Sequence, residues 1–295
     1  MGPFIEYSDF KNWIECKENY GTLRVGELFT LKPALKRVFH GFGCMGLHLI
    51  FVVFLGFKIS FCGTEDYLTS GSLLYRIFYY FMAMTGQRFM YYTGWCISDA
   101  GCIACGISYQ HQNPKERTDD YNWDKVYSVK IWEIETGSAP VKMMSQWNHE
   151  IYVWLKHYVQ NRVETPGRKP GLKEQLMTMG VSAVWHGFYP YYYYMFFLCA
   201  LLVELTKDVY RARILFSFIP QSLWNPLGNF LTMLALNYMG CAFGLLSFEK
   251  GGNLAKGTNY VVLIAVIGLL AVMKGFGVVS YAKKLEYRNK ASDKD

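Results

Sequence analysis

The sequence of 295 residues predicts an all-α fold, a polytopic transmembrane protein built from several apolar helices. Hydrophobic residues make up 52% of the chain. They gather in stretches of about 20 residues or more, the length of a helix that crosses a bilayer. Aromatic residues make up 18%, and 23 Tyr with 8 Trp are typical of side chains at a membrane interface. These observations favour a membrane protein over a soluble enzyme.

The formal net charge is +7, and the positions of its basic residues favour loops beside a membrane over a nucleic-acid-binding surface. Nucleic-acid binding requires Lys and Arg clustered on one polar face. Here the basic residues lie beside apolar stretches, as at Lys36-Arg37, Lys207 and Lys283-Lys284. That distribution is typical of cytosolic loops next to a bilayer. The predicted partner is therefore the membrane bilayer, with no nucleic acid.

The N-terminal elements alternate between polar and apolar. Residues 1–37 predict an interfacial or cytosolic lead-in, with Phe10, Trp13 and Ile14 at helical spacing. Residues 38–61 are long enough for the first span. They begin a predicted transmembrane core, residues 38–281.

Residues 73–109 are apolar but too long for one perpendicular span. We expect two shorter or tilted helices, broken near Gly86–Arg88. Charged groups at membrane depth are costly, so Arg88 and Asp99 are expected to face a protein interior or a water-filled cavity. The alternative for Arg88 is that its side chain extends to the lipid headgroups.

A polar, cytosolic segment over residues 110–146 leads into an amphipathic helical pattern. Asn148 falls within this pattern, on the apolar stripe, where a polar side chain needs partners or belongs to a site. The stripe is formed by Met144, Trp147, Ile151, Trp154, Leu155 and Tyr158.

Residues 172–206 are again too long for one span. Two helical pieces are expected to meet near Gly187–Pro190, because proline lacks the N–H that a helix interior needs. Further spans are predicted at 229–248 and 259–281, followed by a charged, disordered C-terminal tail at 282–295.

His186 is the candidate catalytic residue. Six histidines are present, and His186 alone lies at the centre of a broken apolar stretch, between Trp185 and Gly187. Histidine is the side chain best suited to move a proton near neutral pH. A lone buried histidine is nevertheless more often structural than catalytic when nothing else is known. No metal site is predicted, because the CxxC at Cys102 and Cys105 has no second pair.

The motifs around His186 favour a catalytic role over a structural one. The run WHGFYPYYYYMF at residues 185–196 resembles the WHGxxxGYxxxF signature of the membrane-bound O-acyltransferase family. Gln146-Trp147-Asn148 with Trp154-Leu155-Lys156 is similar to the WN…WL segment of that family. Further matches occur at Gly2-Pro3-Phe4, Arg88-Phe89 and Glu133–Thr136.

This resemblance implies a buried tunnel in a multi-pass protein of the endoplasmic reticulum membrane. It implies acyl transfer from acyl-CoA, as co-substrate, to a lysophospholipid in phospholipid remodelling, with no cofactor. His186 and Asn148 are the implied catalytic residues. The additional candidates for substrate binding are Trp147, Trp185, Tyr152, Arg88 and Asp99. In the basic loop at residues 162–171, Arg162, Arg168 and Lys169 either attract the phosphates of CoA or are ordinary cytosolic flanks.

Two departures from the family pattern leave alternatives open. Tyr191 replaces the second glycine of the signature, and is expected to narrow the pocket or alter a helix contact. The segment beginning at Gly2 follows several helices in family members, so the chain resembles a protein lacking its N-terminal part. The alternatives are an O-acyltransferase acting on a protein or a neutral lipid, and a truncated, non-catalytic isoform that binds lipid.

Overall fold

A computed structural model describes residues 3–21, 30–110, 122–165, 167 and 170–292. Within these residues the architecture is helical, and the extended features are two isolated antiparallel bridges, Gln110–Asn122 and Val129–Trp147. The predicted all-α class is confirmed. The chain divides into a first unit (1–55, 86–134 and 144–154) and a second unit (56–85, 135–143 and 155–295).

Fifteen α-helices are described in this part of the chain. Those up to residue 163 are α1 (Tyr7–Ile14), α2 (Leu31–Leu49), α3 (Ile59–Cys62), α4 (Glu65–Thr69), α5 (Leu73–Ala104), α6 (Ile131–Glu135), α7 (Pro140–Gln146), α8 (His149–Leu155) and α9 (Asn161–Val163). The others are α10 (Leu172–His186), α11 (Pro190–Arg211), α12 (Gln221–Leu245), α13 (Phe248–Gly257), α14 (Val261–Gly275) and α15 (Val278–Ser292).

The expected break near Gly86–Arg88 is wrong, because α5 runs without interruption through 32 residues. Gly86 marks a close contact between helices instead. A Cβ there would lie 2.7 Å from the Cβ of Phe51. The imidazole of His48 donates from Nδ1 to the carbonyl of Gly86, at 2.9 Å. Glycine therefore serves close packing at this position, and the helix tolerates its cost of about 1 kcal/mol.

In the second unit, the predicted division of residues 172–206 is confirmed. Helix α10 ends at His186, Gly187 has φ = +125°, and Pro190 begins α11 as its first residue. Proline is favoured there because the first N–H of a helix has no partner within the helix.

Ion pairs join helix α11 to α14. The buried carboxylates of Glu204 and Asp208 lie 2.7 and 2.8 Å from Nζ of Lys274.

Several predicted boundaries are corrected. Helix α2 begins at Leu31, inside the predicted lead-in, and a π-helix (Ile50–Phe54) ends the first span before residue 61. By length and composition, one helix among the described residues can cross a membrane, Leu31–Phe54. The pair α13 and α14, bent by 81°, passes the same test when taken together.

The prediction of a disordered tail is also wrong for its described part. Helix α15 continues to Ser292, although five of its 15 residues are charged and most of those up to residue 289 are exposed. Alternating Lys, Glu and Arg are good helix formers, so the segment can be helical without burying an apolar face. The predicted span at 259–281 is likewise divided, since α14 ends at Gly275 and Gly277 has φ = +60°.

Candidate active site

Asn148 lies at a break between two helices and not within one helix. The predicted continuous helix is wrong here: α7 ends at Gln146, α8 begins at His149, and Asn148 has φ = +52°. Asparagine is one of the few residues other than glycine that adopt this left-handed conformation readily. The break places Asn148 at the N-terminus of α8, where its carbonyl accepts the first helical bond, from the N–H of Tyr152 at 3.1 Å.

The amide oxygen of Asn148 is buried but has no hydrogen-bond partner within the described residues. An unsatisfied buried oxygen costs free energy, about 1–3 kcal/mol, so it requires an explanation. The neighbouring Trp147 is held by three rings of α5. Its ring centroid lies 5.5 Å from Tyr91, 5.8 Å from Tyr92 and 4.8 Å from Trp95. This packing anchors the strained turn.

His149 and Tyr127 clamp the other side of the turn. Their rings stack at a centroid distance of 4.3 Å, and the Nδ1–H of His149 donates to the carbonyl of Ser145 at 2.7 Å. The backbone N–H of His149 donates to the carbonyl of Ser128 at 2.9 Å. Burial lowers the pKa of His149, which favours the neutral ring seen in this arrangement. The backbone around Asn148 is therefore fixed from both directions.

Asp99 holds neighbouring groups of the protein in place, and its predicted contact with a substrate stays a prediction. Its Oδ2 accepts from Arg37 at 2.6 Å, and its Oδ1 accepts the backbone N–H of Ser128 at 2.8 Å. Arg37 also donates to the carbonyl of Val129 at 2.6 Å. The carboxylate, 1% exposed as a residue, thus uses both oxygens within the protein. The expectation that it faces a protein interior is confirmed.

Arg88 and Tyr152 lie in the same unit. Arg88 is buried at 6% exposure, so its side chain does not extend to the headgroups as the alternative interpretation required. Tyr152 is half-buried on α8, and its N–H donates to the carbonyl of Asn148 at 3.1 Å. Contact of either residue with a substrate stays a prediction.

Glu150, one residue beyond His149, makes the stability of this region dependent on pH. Burial raises its pKa to about 7; Asp9, Glu6 and Asp99 add to the rise, and a hydrogen bond from the N–H of Tyr127 opposes it. The folded pKa lies above the unfolded value of about 4.3, so the folded state binds the proton more tightly. The resulting stabilisation is complete below the unfolded pKa and is lost as the pH rises through about 7.

Replacing Glu150 with Gln is expected to remove this pH dependence. The amide is neutral, similar in shape and still able to accept from the N–H of Tyr127. The melting temperature of the detergent-solubilised variant should exceed that of the wild type by a few degrees at about pH 8 and match it at about pH 5. Glu65→Gln, on an exposed side chain, is the matched control. Equal melting temperatures for Glu150→Gln and wild type at pH 8 would contradict the buried, protonated state.

In the second unit, His186 is the last residue of α10, and its imidazole is packed among aromatic rings. The ring centroids of Phe196, Phe243 and Tyr192 lie 5.3, 5.2 and 5.9 Å away. Its nitrogens have no hydrogen-bond partner within the described residues. The aromatic contacts set the ring plane, and both nitrogens stay available to a substrate.

Within this chain His186 is exposed despite its three aromatic neighbours, and its enclosure in a tunnel stays a prediction. Trp185 is 49% exposed and Phe188 84% exposed. The contribution of Trp185 to substrate binding stays a prediction.

Tyr191 alters a helix contact, one of the two effects expected of it. It is buried, and its ring occupies the position that a Cβ on Gly251 of α13 would need, 1.8 Å from Cε1. It also packs on Tyr194 and Phe248, with centroids at 4.9 and 5.6 Å. The large side chain at this point in the motif is thus matched by a glycine on the facing helix.

In the part of the chain that the structure describes, no group of three or more His, Cys, Asp or Glu is arranged to hold a metal ion. Two basic residues suggested for CoA phosphates, Arg168 and Lys169, lie outside the described residues, as does Gly2 of the N-terminal motif.

Comparison with known proteins gives one family match that covers most of the chain. A sequence model of the membrane-bound O-acyltransferase family matches residues 1–248. The chain is 32% identical over 306 residues to a Saccharomyces cerevisiae protein named Lysophospholipid acyltransferase, covering 96% of this chain and 48% of the relative. It is 32% identical over 273 residues to Lysophospholipid acyltransferase 2 of Arabidopsis thaliana, covering 91% and 58%.

A human relative is more distant. Membrane-bound glycerophospholipid O-acyltransferase 1 of Homo sapiens is 26% identical over 286 residues, covering 92% of this chain and 55% of the relative. The chain therefore spans about half the length of the curated relatives it matches.

Proposed function

Because the chain belongs to the membrane-bound O-acyltransferase family, we propose that it transfers a fatty acyl group from acyl-CoA to the free hydroxyl of a lysophospholipid. The observation that carries this proposal is the pair of motifs around Asn148 and His186, in a chain similar to proteins named lysophospholipid acyltransferases in yeast and plants. The membrane of the endoplasmic reticulum is the proposed location, because CoA thioesters are cytosolic and the acceptor lies in the bilayer.

His186 is the proposed general base. It takes the proton of the acceptor hydroxyl while the oxygen attacks the thioester carbonyl carbon. The C–O ester bond forms, the C–S bond breaks, and the proton passes to the departing CoA sulfur. A positioned base accelerates such a step by about 10²–10⁴-fold, because an alcohol is a poor nucleophile near neutral pH. The nitrogens of His186, which make no hydrogen bond within the described residues, support this role.

Asn148 is the proposed second residue of the reaction. Its amide holds either the acceptor hydroxyl or the thioester carbonyl. A polar group fixed in advance costs no reorganisation during the reaction, and that supplies much of the advantage of such contacts. The backbone of Asn148 is fixed in this manner by Trp147, His149 and Ser128.

The experiment that tests the proposal compares acceptors. Microsomes from cells that express the chain, and from matched cells expressing His186→Ala, receive labelled oleoyl-CoA with lysophosphatidylcholine, lysophosphatidylethanolamine, lysophosphatidylinositol, cholesterol or diacylglycerol. We expect label in a diacyl phospholipid with the wild type alone. Label in sterol ester, triacylglycerol or protein would support another acceptor class, and no label in any product would support a non-catalytic, lipid-binding role.

A further inference from the structure

Two buried oxygens without partners in the described part of the chain belong to neighbouring backbone positions of the first unit. Besides Oδ1 of Asn148, the hydroxyl of Ser128 is buried and has no hydrogen-bond partner in the described part of the chain. Ser128 is 0% exposed. The bridge between Val129 and Trp147 and the bond from the N–H of His149 to the carbonyl of Ser128 set residue 128 beside residue 148.

Both residues are held firmly by their backbones. Asp99 accepts the N–H of Ser128 at 2.8 Å, and Arg37 in turn holds Asp99 at 2.6 Å. The backbone of Ser128 therefore cannot shift without breaking its bond to a charged group. Buried polar groups are normally paired, so two neighbouring exceptions on fixed backbones indicate a place for a group that the protein does not itself supply.

The chemistry of the two oxygens specifies that group. Oδ1 of Asn148 can only accept a hydrogen bond, whereas the hydroxyl of Ser128 can also donate one. A thioester carbonyl accepts from Ser128 but leaves Asn148 unpaired, and an ammonium group donates to both but cannot accept. A hydroxyl satisfies both when it is bound, because it donates to Asn148 and accepts from Ser128, and it gives up that proton to the base only as its oxygen attacks.

We propose that Ser128 is a further substrate-binding residue, which together with Asn148 recognises the free hydroxyl of the acyl acceptor. This inference rests on the proposed function and chooses between the two roles open to Asn148. It assigns the amide to the acceptor hydroxyl and not to the thioester carbonyl. Selectivity against acceptors that lack this hydroxyl follows, since such a lipid leaves both oxygens unpaired.

Ser128→Ala is the variant that tests it, and Ser108→Ala is the matched control. Ser108 is equally buried, at 0% exposure, but its hydroxyl donates to the carbonyl of Val126 at 2.8 Å. Ser108→Ala should therefore lower the melting temperature by a few degrees and leave the KM for the acceptor unchanged. Ser128→Ala loses no hydrogen bond within the protein, so its melting temperature should be at least that of the wild type.

The kinetic readout separates binding of the two substrates. With the lysophospholipid that the wild type uses best among the three named above, Ser128→Ala should raise the KM for the acceptor about tenfold. Its KM for oleoyl-CoA should stay within about twofold of the wild-type value. An unchanged acceptor KM would show that the two oxygens hold an ordered water only, and would overturn the inference.

A binding measurement without turnover distinguishes failure of this inference from failure of the proposed function. The His186→Ala chain is compared for affinity towards each lysophospholipid and its analogue lacking the acceptor hydroxyl. We expect about tenfold preference for the hydroxyl, abolished by adding Ser128→Ala. If the chain shows this preference but no acyl transfer, the enzymatic function alone is rejected. If the wild type transfers acyl groups but shows no such preference, the role of Ser128 alone is rejected.

Discussion

Acyl transfer is expected to fall by about 10²–10⁴-fold when His186 is replaced with Ala, which is the contribution of a well-placed general base. The loss should appear in kcat, because His186 acts on the proton that moves in the transition state. The KM values for both substrates should change little. Initial rates with purified protein, measured over a range of each substrate, provide the test.

The surroundings of His186 allow a clean comparison. The ring makes no hydrogen bond within the described residues and packs on aromatic neighbours, so its removal should cost less stability than loss of a buried polar network. His40→Ala, on an exposed histidine of α2, is the control and should keep full activity. Near-normal turnover by His186→Ala, with protein present at wild-type level, would exclude His186 as the base.

Asp99→Ala is expected to destabilise the protein by about 3–5 kcal/mol, the cost of breaking a buried ion pair from one side. The side chains of Asp99 and Arg37 are only 2% and 20% exposed. Removing the carboxylate leaves the guanidinium without its charged partner and the N–H of Ser128 without its acceptor. Thermal unfolding in detergent should show a lower melting temperature, with acyl transfer reduced as the turn around Asn148 loosens.

Two comparisons show whether the buried charge is the cause. Asp124→Ala removes an exposed ion pair of similar length, 3.0 Å to Lys130, and should cost less than about 1 kcal/mol. The double variant Arg37→Met with Asp99→Leu removes both charges and should recover much of the lost stability. If Asp99→Ala were no less stable than Asp124→Ala, the positioning role of Asp99 would be refuted.

Asp99 lies in the first unit and His186 in the second, and their replacement is expected to have different effects on the protein. Asp99 accepts a hydrogen bond from the backbone of Ser128, next to the bridge to Trp147, so its loss should first appear as instability. His186 packs on aromatic rings and has no hydrogen-bond partner within the described residues, so its loss should first appear in turnover. Measuring both quantities for both variants therefore separates a positioning residue from a catalytic one.

The sequence by itself determined the helical class, the family resemblance and the helix break after His186. These features depend on local chemistry. Proline fixes the start of α11 wherever the chain folds, and apolar stretches of sufficient length become helices because backbone polar groups in a bilayer must be paired internally. The burial of Arg88 and Asp99 also followed from the cost of a charge among apolar residues.

Only the tertiary structure decided the roles within that framework. From the sequence, Gly86 was predicted to interrupt a helix. In the structure it lies inside the continuous helix α5, at a point where Phe51 packs against it. The spacing of apolar residues predicted that Asn148 lies within one amphipathic helix. It lies instead between two helices, because its left-handed backbone is held by contacts with residues distant in the chain. Ser128 carries no sequence signal at all. Its unpaired hydroxyl emerges only when Asp99 and His149 meet its backbone, since a hydrogen bond depends on positions in space and not on spacing along the chain.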